Sequence, residues 1–154
     1  NNMKKTKIYF EDIKEGDSYK LGPLFVSKEE VIDFAKKYDP QPFHISEEKA
    51  KESLFGGLCA SGWHTCALYM KMLCDSFIKN LASLGSPGMN EIRWIKPLFP
   101  NQEIFGNVTI ISKKPSKSKP NIGSMITKSE VYNENKELIM TLESISIVRK
   151  RNEK

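Results

Sequence analysis

The segment LCASGWHTCALYMKMLCDSFIKNLAS, Leu58 to Ser83, is apolar on almost every side for about five helical turns. A helix without a polar face must be enclosed by other elements rather than lie on a surface. The sequence downstream supplies the enclosure. From Met89 the rhythm changes to alternating, β-rich pieces, MNEIRWIKP, QEIFGNVTIISKK, GSMITKSEVYNEN and ELIMTLESISIVRK, with Phe99-Pro100-Asn101 and Asn133-Glu134-Asn135 as the clearest turns. The polar stretch KKPSKSKPN, Lys113 to Asn121, reads as an exposed turn between two strands. One buried helix followed by an antiparallel meander that wraps it is an α+β arrangement.

Upstream of that helix, Ser18 to Val26 reads as a strand. Ser27 with Glu30 three residues later forms a capping box, and Val31, Phe34, Ala35 and Tyr38 recur at helical spacing, which predicts a helix of about 11 residues running into Asp39. A second short helix capped by Ser46 is expected to end before Gly56-Gly57.

With 154 residues the chain has the length of one domain, so residues 1–154 are read as a single unit. Asn1 and Asn2 precede Met3 and are compatible with an expression remnant. No apolar run approaches the roughly 18 residues that span a membrane, and the N-terminus has no secretory pattern, so a cytoplasmic location is expected. Cys59, Cys66 and Cys74 fall seven and eight positions apart inside the expected helix. At ~1.5 Å rise per residue that spacing is beyond disulfide reach, which implies free thiols in a reducing compartment. The net charge is +5, but the lysines cluster only at Lys113 to Lys119 and Arg149 to Lys154, without interleaved aromatics. A solvated face, or a rim attracting an anionic small substrate, fits better than a nucleic-acid surface.

The stretch YDPQPFH, Tyr38 to His44, carries the candidate chemistry. Pro40 and Pro42 restrict the backbone, so Asp39 and His44 sit in a stiff frame. A carboxylate beside an imidazole is a general acid/base pair, although an aspartate capping a turn and a histidine bonded to backbone would leave the same sequence. Phe55-Gly56-Gly57 leads to Ser61 and Gly62 in the first turn of the apolar helix, where unpaired N–H groups and the positive end of the helix dipole can stabilise an oxyanion. Glycine at 62 would also let a substrate carbonyl approach the backbone, or would simply permit tight packing. Trp63 reads as core or pocket wall. His64 with His44 and Asp39 lacks the spacing of a metal site, Ser61 is not in a GxSxG elbow, and no Walker or Rossmann glycine pattern is present.

Taken together, YDPQPFHISEEKA followed by SLFGGLCASGWHT resembles the signature region of the MaoC-like dehydratases, the (R)-specific enoyl-CoA hydratase branch of the hotdog superfamily. The family pattern is an aspartate, an asparagine-proline, a histidine five residues after the aspartate, a Phe-Gly stretch and an Ala-His-Gly start to the central helix. The resemblance covers most of the chain and implies a hotdog fold, an antiparallel sheet wrapped around a long central helix. It further implies that Asp39 and His44 hold a water for addition to C3 of a trans-2-enoyl thioester and deliver its proton to C2. Gly62 N–H would bind the enolate-like oxygen, a donor typically worth on the order of 3 kcal/mol. Ser61, Phe55, Gly57 and Trp63 join Gly62 as expected substrate-binding residues. No cofactor is implied beyond the coenzyme A or acyl-carrier protein that bears the acyl group, and its phosphates would suit the basic rim.

Three residues depart from the family pattern: Gln41 stands for the asparagine, Ser61 for the histidine before the glycine, and Met70 for a serine further along the helix. These departures keep a non-catalytic acyl-thioester binding subunit open as an alternative. A hotdog thioesterase is disfavoured because Asp75 and Glu52 are poorly placed to serve as its acid. An exposed sheet edge predicts a homodimer or higher homo-oligomer, since edge-to-edge pairing hides the open strand.

Overall fold

Residues 7–151 are described here by a computed structural model; Asn1 and Asn2 lie outside the described residues. Strand β1, Ser18–Val26, leads directly into helix α1, Lys28–Tyr38. The capping box closes as the spacing predicts: Ser27 Oγ accepts from Glu30 N–H at 3.1 Å and Glu30 accepts from Ser27 N–H at 2.9 Å. Val31 and Ala35 bury one side of α1, and Asp39 terminates it as the C-cap. Two short helices follow, α2, Pro42–Ile45, and α3, Glu47–Lys51, with the Ser46 hydroxyl capping the latter.

The apolar segment forms a shorter helix than expected. Helix α4 runs from Gly62 to Ser76, 15 residues, and a 3-10 turn at Ile78–Asn80 continues it. Leu58, Cys59 and Ala60 are buried but extended ahead of the helix, so only Cys66 and Cys74 lie on it, both half-buried, and all three cysteines are free thiols. Enclosure is also incomplete. Leu68, Tyr69, Met72 and Leu73 are buried in the main core cluster, whereas Trp63 and Met70 are 59% and 48% exposed. The sheet packs on one side of the helix and α1 on another, and the stripe that carries Trp63 and Met70 stays exposed.

Strands β2, Ser83–Trp94, β3, Gln102–Pro115, β4, Ile122–Tyr132, and β5, Leu138–Arg149, complete one antiparallel sheet in the order β1-β3-β4-β5-β2. β2 starts six residues earlier than the rhythm change at Met89 suggested, and it does not begin a four-strand meander. It pairs with β5, while β1 pairs with β3. Only β3, β4 and β5 form the meander; the turn expected at 133–135 joins β4 to β5, whereas the one expected at 113–121 is shorter, 116–121, because Lys113, Lys114 and Pro115 still pair with β4.

Alternation aims Ile104, Val108 and Ile110 of β3, and Met125 and Val131 of β4, into the core with Met140, Leu142 and Val148 of β5. Two polar groups in this interior satisfy one another: Tyr69 Oη and Ser129 Oγ lie 2.7 Å apart. Gly106 marks a place where β3 and β4 come too close for any side chain. A Cβ there would lie 2.2 Å from the Glu130 carbonyl oxygen.

Helix α1 is held against α4 by a stack of Phe34 on His64, with centroids 4.6 Å apart and planes at 9°. His64 is 5% exposed and its Nδ1 is buried with no hydrogen-bond partner among the described residues. Burial pushes its imidazole pKa down from 6.5, against a smaller upward pull from the Glu30 carboxylate.

Two outcomes follow from this packing. Gly106→Ala is expected to cost about 1–3 kcal/mol, read as a lower urea midpoint, because backbone rather than a flexible side chain must give way. His64 binds its proton more readily in the unfolded chain, so stability contributed by the neutral ring is complete above 6.5 and is lost as pH falls from 6.5 toward the lower folded value. Asp39 and Asp12 are depressed from 3.8 and Glu137 from 4.5, so their losses come at lower pH. Urea midpoints measured from pH 8 to pH 5 should therefore fall less for His64→Phe than for the wild type; parallel curves would refute the assignment.

Candidate active site

The loop between α1 and α2 folds as the two prolines suggest. Asp39 carries φ −153° as the C-cap, Gln41 N–H donates to the Asp39 carbonyl at 2.8 Å, and Pro42 takes the first position of α2. One turn of helix then places His44, 5% exposed, back beside Asp39. Asp39 Oδ2 and His44 Nε2 are 3.4 Å apart.

The far side of the imidazole is fixed by backbone. His44 Nδ1 lies 2.7 Å from the Cys59 carbonyl oxygen, which can only accept, so Nδ1 carries a proton. In the neutral ring Nε2 is therefore the lone-pair nitrogen, and it faces the carboxylate. The Cys59 carbonyl is itself pinned. Cys59 N–H donates to Phe43 O at 3.3 Å and Ala60 N–H donates to Leu98 O at 2.8 Å, which stitches the approach to α4 between α2 and the loop after β2.

The Asp39 side chain is only 16% exposed. Burial alone would raise its pKa, but the polar neighbours Ser61 and Gln41, with His44 beside them, outweigh that and hold it below the usual carboxylate range. The Gln41 contact, Nε2 to Asp39 Oδ1, is 2.7 Å. Gln41 thus supplies an amide donor despite replacing the asparagine of the family pattern. Burial, with the Asp39 charge adding to it, pushes the Cys59 thiol up to about 11, which removes it as a nucleophile.

Asp39 and His44 lie on the wall of a cavity of about 420 Å³ that also includes Gly62 and Trp63 at the start of α4, Phe43 and Phe55, and the stretch Trp94 to Leu98. Two acceptors about a water's width apart and the N-terminus of a 15-residue helix therefore share one mostly apolar space. The two tryptophans of the chain meet there edge to face, 5.3 Å between centroids.

The residues expected to bind substrate separate in the structure. Phe55, Gly62 and Trp63 line the cavity. Gly57 does not: it lies beside the Phe99 ring, which a Cβ at 57 would meet at an ordinary contact of 3.6 Å. Ser61 is fully buried behind the wall, next to Asp39 rather than in the open space. Met70 is half exposed and is not part of the wall. His64 turns away to Phe34 and joins neither Asp39 nor His44, and among the described residues no group of three or more His, Cys, Asp or Glu side chains is arranged to hold a metal ion.

Of the two roles the sequence leaves open at Gly62, the structure displays tight packing. A Cβ at 62 would lie 2.5 Å from the Trp94 indole, whose Nε1–H donates to the Gly62 carbonyl at 3.0 Å. The indole fills the space on the Cα side of Gly62, while Gly62 N–H remains outside the helix ladder as a first-turn donor. Trp94, Ile95, Lys96, Pro97 and Leu98 were not legible as site residues, because only the pairing of β2 with β5 brings them to α4.

The basic clusters are elsewhere. Arg149 pairs with Ile122 and Lys150 N–H bonds to Asn121 O, so the 113–119 turn and the start of the C-terminal cluster sit together. Lys113 and Lys150 lie over the Phe10 ring at 4.7 and 5.7 Å. Met140, opposite Trp94, and Arg149 are separated by roughly 30 Å of β5 at ~3.3 Å per residue. Among the described residues of one chain these cations form no rim around the cavity; Lys96, paired with Glu137, lies on its wall.

Comparison with known proteins agrees with this geometry. The MaoC like domain family matches residues 12–134. YdeM, an uncharacterized protein of Bacillus subtilis, is 32% identical over 136 residues, covering 88% of this chain and 94% of that protein. The crystal structure of the MaoC-like dehydratase from Rhodospirillum rubrum superposes with a TM-score of 0.85 at 33% identity, covering 95% of this chain and 99% of that one. The (R)-hydratase PhaJ1 from Pseudomonas aeruginosa shares the fold, with a TM-score of 0.72 at 17% identity over 95% of this chain and 88% of that one. With a family match over most of its length and full-length relatives above 30% identity, the chain belongs to the MaoC-like dehydratase family of hotdog proteins.

Proposed function

We propose that this protein is a hydro-lyase that adds water across the C2–C3 bond of a trans-2-enoyl thioester, or removes it from an (R)-3-hydroxyacyl thioester, the acyl group being carried on coenzyme A or acyl-carrier protein. The observation that carries this reading is the pair of acceptors, His44 Nε2 and Asp39 Oδ2, set 3.4 Å apart on a cavity wall that also presents the start of α4. A water donating to both would be held with its oxygen lone pairs free to attack C3. As the C3–O bond forms, one base takes the water's proton, the π electrons move toward the carbonyl, and Gly62 N–H stabilises the oxygen that gains charge. Return of that proton to C2 completes addition with no cofactor. Dehydration is the reverse: a proton leaves C2 and hydroxide departs from C3 as water.

The likeness to a dehydratase at 33% identity supports the same reaction class. A thioesterase reading has less support. Glu52 is exposed, Asp75 pairs with Lys71 on the surface, and neither lines the cavity. We also propose a homodimer in the cytoplasm. β2 is a sheet edge with Leu84, Met89 and Trp94 41–46% exposed along it, a strand that gains by pairing with a second copy. No helix among the described residues is long and apolar enough to cross a membrane.

Crotonyl-CoA and a longer trans-2-enoyl-CoA should lose their enoyl-thioester absorbance with the wild type, and Asp39→Asn should slow that loss by about 10²–10⁴-fold. Quenching of the two cavity tryptophans by the same ligands should survive in Asp39→Asn. Quenching without turnover in the wild type would instead favour a non-catalytic binding subunit, and release of free thiol would favour a thioesterase. Light scattering should give about twice 17.6 kDa; the mass of one chain would overturn the dimer.

A further inference from the structure

Among the described residues that line the cavity, Lys96 is the only lysine or arginine, and both its backbone and its side chain are held in place. Ile95 N–H and Lys96 N–H donate to the same Ile139 carbonyl, at 2.8 and 3.3 Å, and Pro97 restricts the residue before it to extended conformations. Lys96 Nζ donates to Glu137 Oε2. Glu137 in turn belongs to a turn closed on the buried Asn133: Asn133 Nδ2 donates to Glu137 Oε1 at 3.1 Å, and Glu137 N–H donates to Asn133 Oδ1 at 3.0 Å. A free lysine gives up rotamer freedom when it meets an anion, and here the turn has already removed much of it. Glu137 accepts one of the ammonium protons and leaves the others for a ligand.

The place of this cation decides which part of a ligand it meets. The Lys96 side chain is 50% exposed, whereas Cys59, Ala60 and Leu98 on the inner wall are buried, so Lys96 stands at the mouth. A charge on the acyl group would call for a cation among the inner residues, and there is none among the described ones. Lys96 follows Trp94, whose indole bonds the Gly62 carbonyl, by roughly 7 Å of extended chain at ~3.3 Å per residue. Its stem carries the ammonium further still from the start of α4. We infer that Lys96 binds the phosphate joined to the pantetheine arm, the group that coenzyme A and acyl-carrier protein share, and that Glu137 and Asn133 position it. The inference rests on the acyl-thioester reading of the cavity. The larger basic clusters cannot serve from within the chain, because Lys113 and Arg149 to Arg151 lie at the far end of β5. The Glu137 charge opposes an incoming phosphate, so the contact is a modest one.

Pantetheine and phosphopantetheine differ in that one phosphate, and quenching of Trp63 and Trp94 on the cavity wall reports the binding of either. The wild type should bind phosphopantetheine about three- to tenfold more tightly than pantetheine. That ratio should fall toward unity in Lys96→Gln, which keeps a polar stem without the charge, and should persist in Lys96→Arg. Added salt should lower the wild-type ratio as well. The crotonyl thioesters of the two compounds should show the same ratio in KM, with kcat alike. Crotonyl-CoA and crotonyl-acyl-carrier protein then separate the two sources of the phosphate: KM should rise in Lys96→Gln for the carrier that the wild type turns over. A wild-type ratio of unity, or a ratio that survives in Lys96→Gln, would overturn the inference. A Lys96-dependent ratio without turnover of any enoyl thioester would keep the phosphate site and remove the hydro-lyase reading, whereas hydration that is indifferent to Lys96 would do the reverse.

Discussion

The hydrogen bond from His44 Nδ1 to the Cys59 carbonyl is the contact on which the site depends. It joins a one-turn helix, which could not hold its shape in isolation, to the extended approach of α4. It also decides the chemistry of the ring. With Nδ1 committed as a donor, Nε2 is the nitrogen with a free lone pair, and the loop geometry turns that nitrogen toward Asp39. The other neutral tautomer would present an Nε2–H to the carboxylate and turn the lone pair of Nδ1 against the Cys59 carbonyl oxygen, which offers no proton. The carbonyl that prevents this is held by Phe43 and Leu98, so the tautomer is a consequence of tertiary packing.

That dependence explains which parts of the site were legible in the sequence. The capping box at Ser27, the 11-residue α1 and the proline-framed Asp39 to His44 turn are local, and residue types at fixed spacing specify them. Side-chain alternation likewise marked β3, β4 and β5. What failed was non-local. The length of α4 was overread because Leu58, Cys59 and Ala60 are as apolar as a helix interior, yet they are buried as an extended segment stitched to Phe43 and Leu98. Burial and helicity give the same signal in composition. The position of β2 was misread for a related reason, since adjacency in sequence suggested pairing with β3 and the observed partner is β5.

Trp94 shows how far such a topological detail reaches. As the last residue of β2 it pairs with Met140, which carries its indole over the first turn of α4. Gly62 is then required by a neighbour in the same chain, because a Cβ would collide with that indole. The glycine still matters to the structure through packing: the indole bonded to the Gly62 carbonyl and the Ser61 hydroxyl accepting from Trp63 N–H fix the Gly62–Trp63 peptide at the start of the helix.

The electrostatic arrangement follows from how little water reaches the pair. A carboxylate buried without partners would take up a proton, and a protonated Asp39 could not share a water with His44. Desolvation is the largest single influence on this group, and the polar neighbours Ser61, Gln41 and His44 together outweigh it, so the charge persists. Gln41 comes from the loop that positions Asp39, and Ser61 from the segment that positions His44, two residues beyond the carbonyl that fixes the ring. The same pair of segments thereby controls the distance between base and acid and the ionisation that makes the distance useful. Neither segment alone suffices, and sequence spacing within the loop specifies only half of that arrangement.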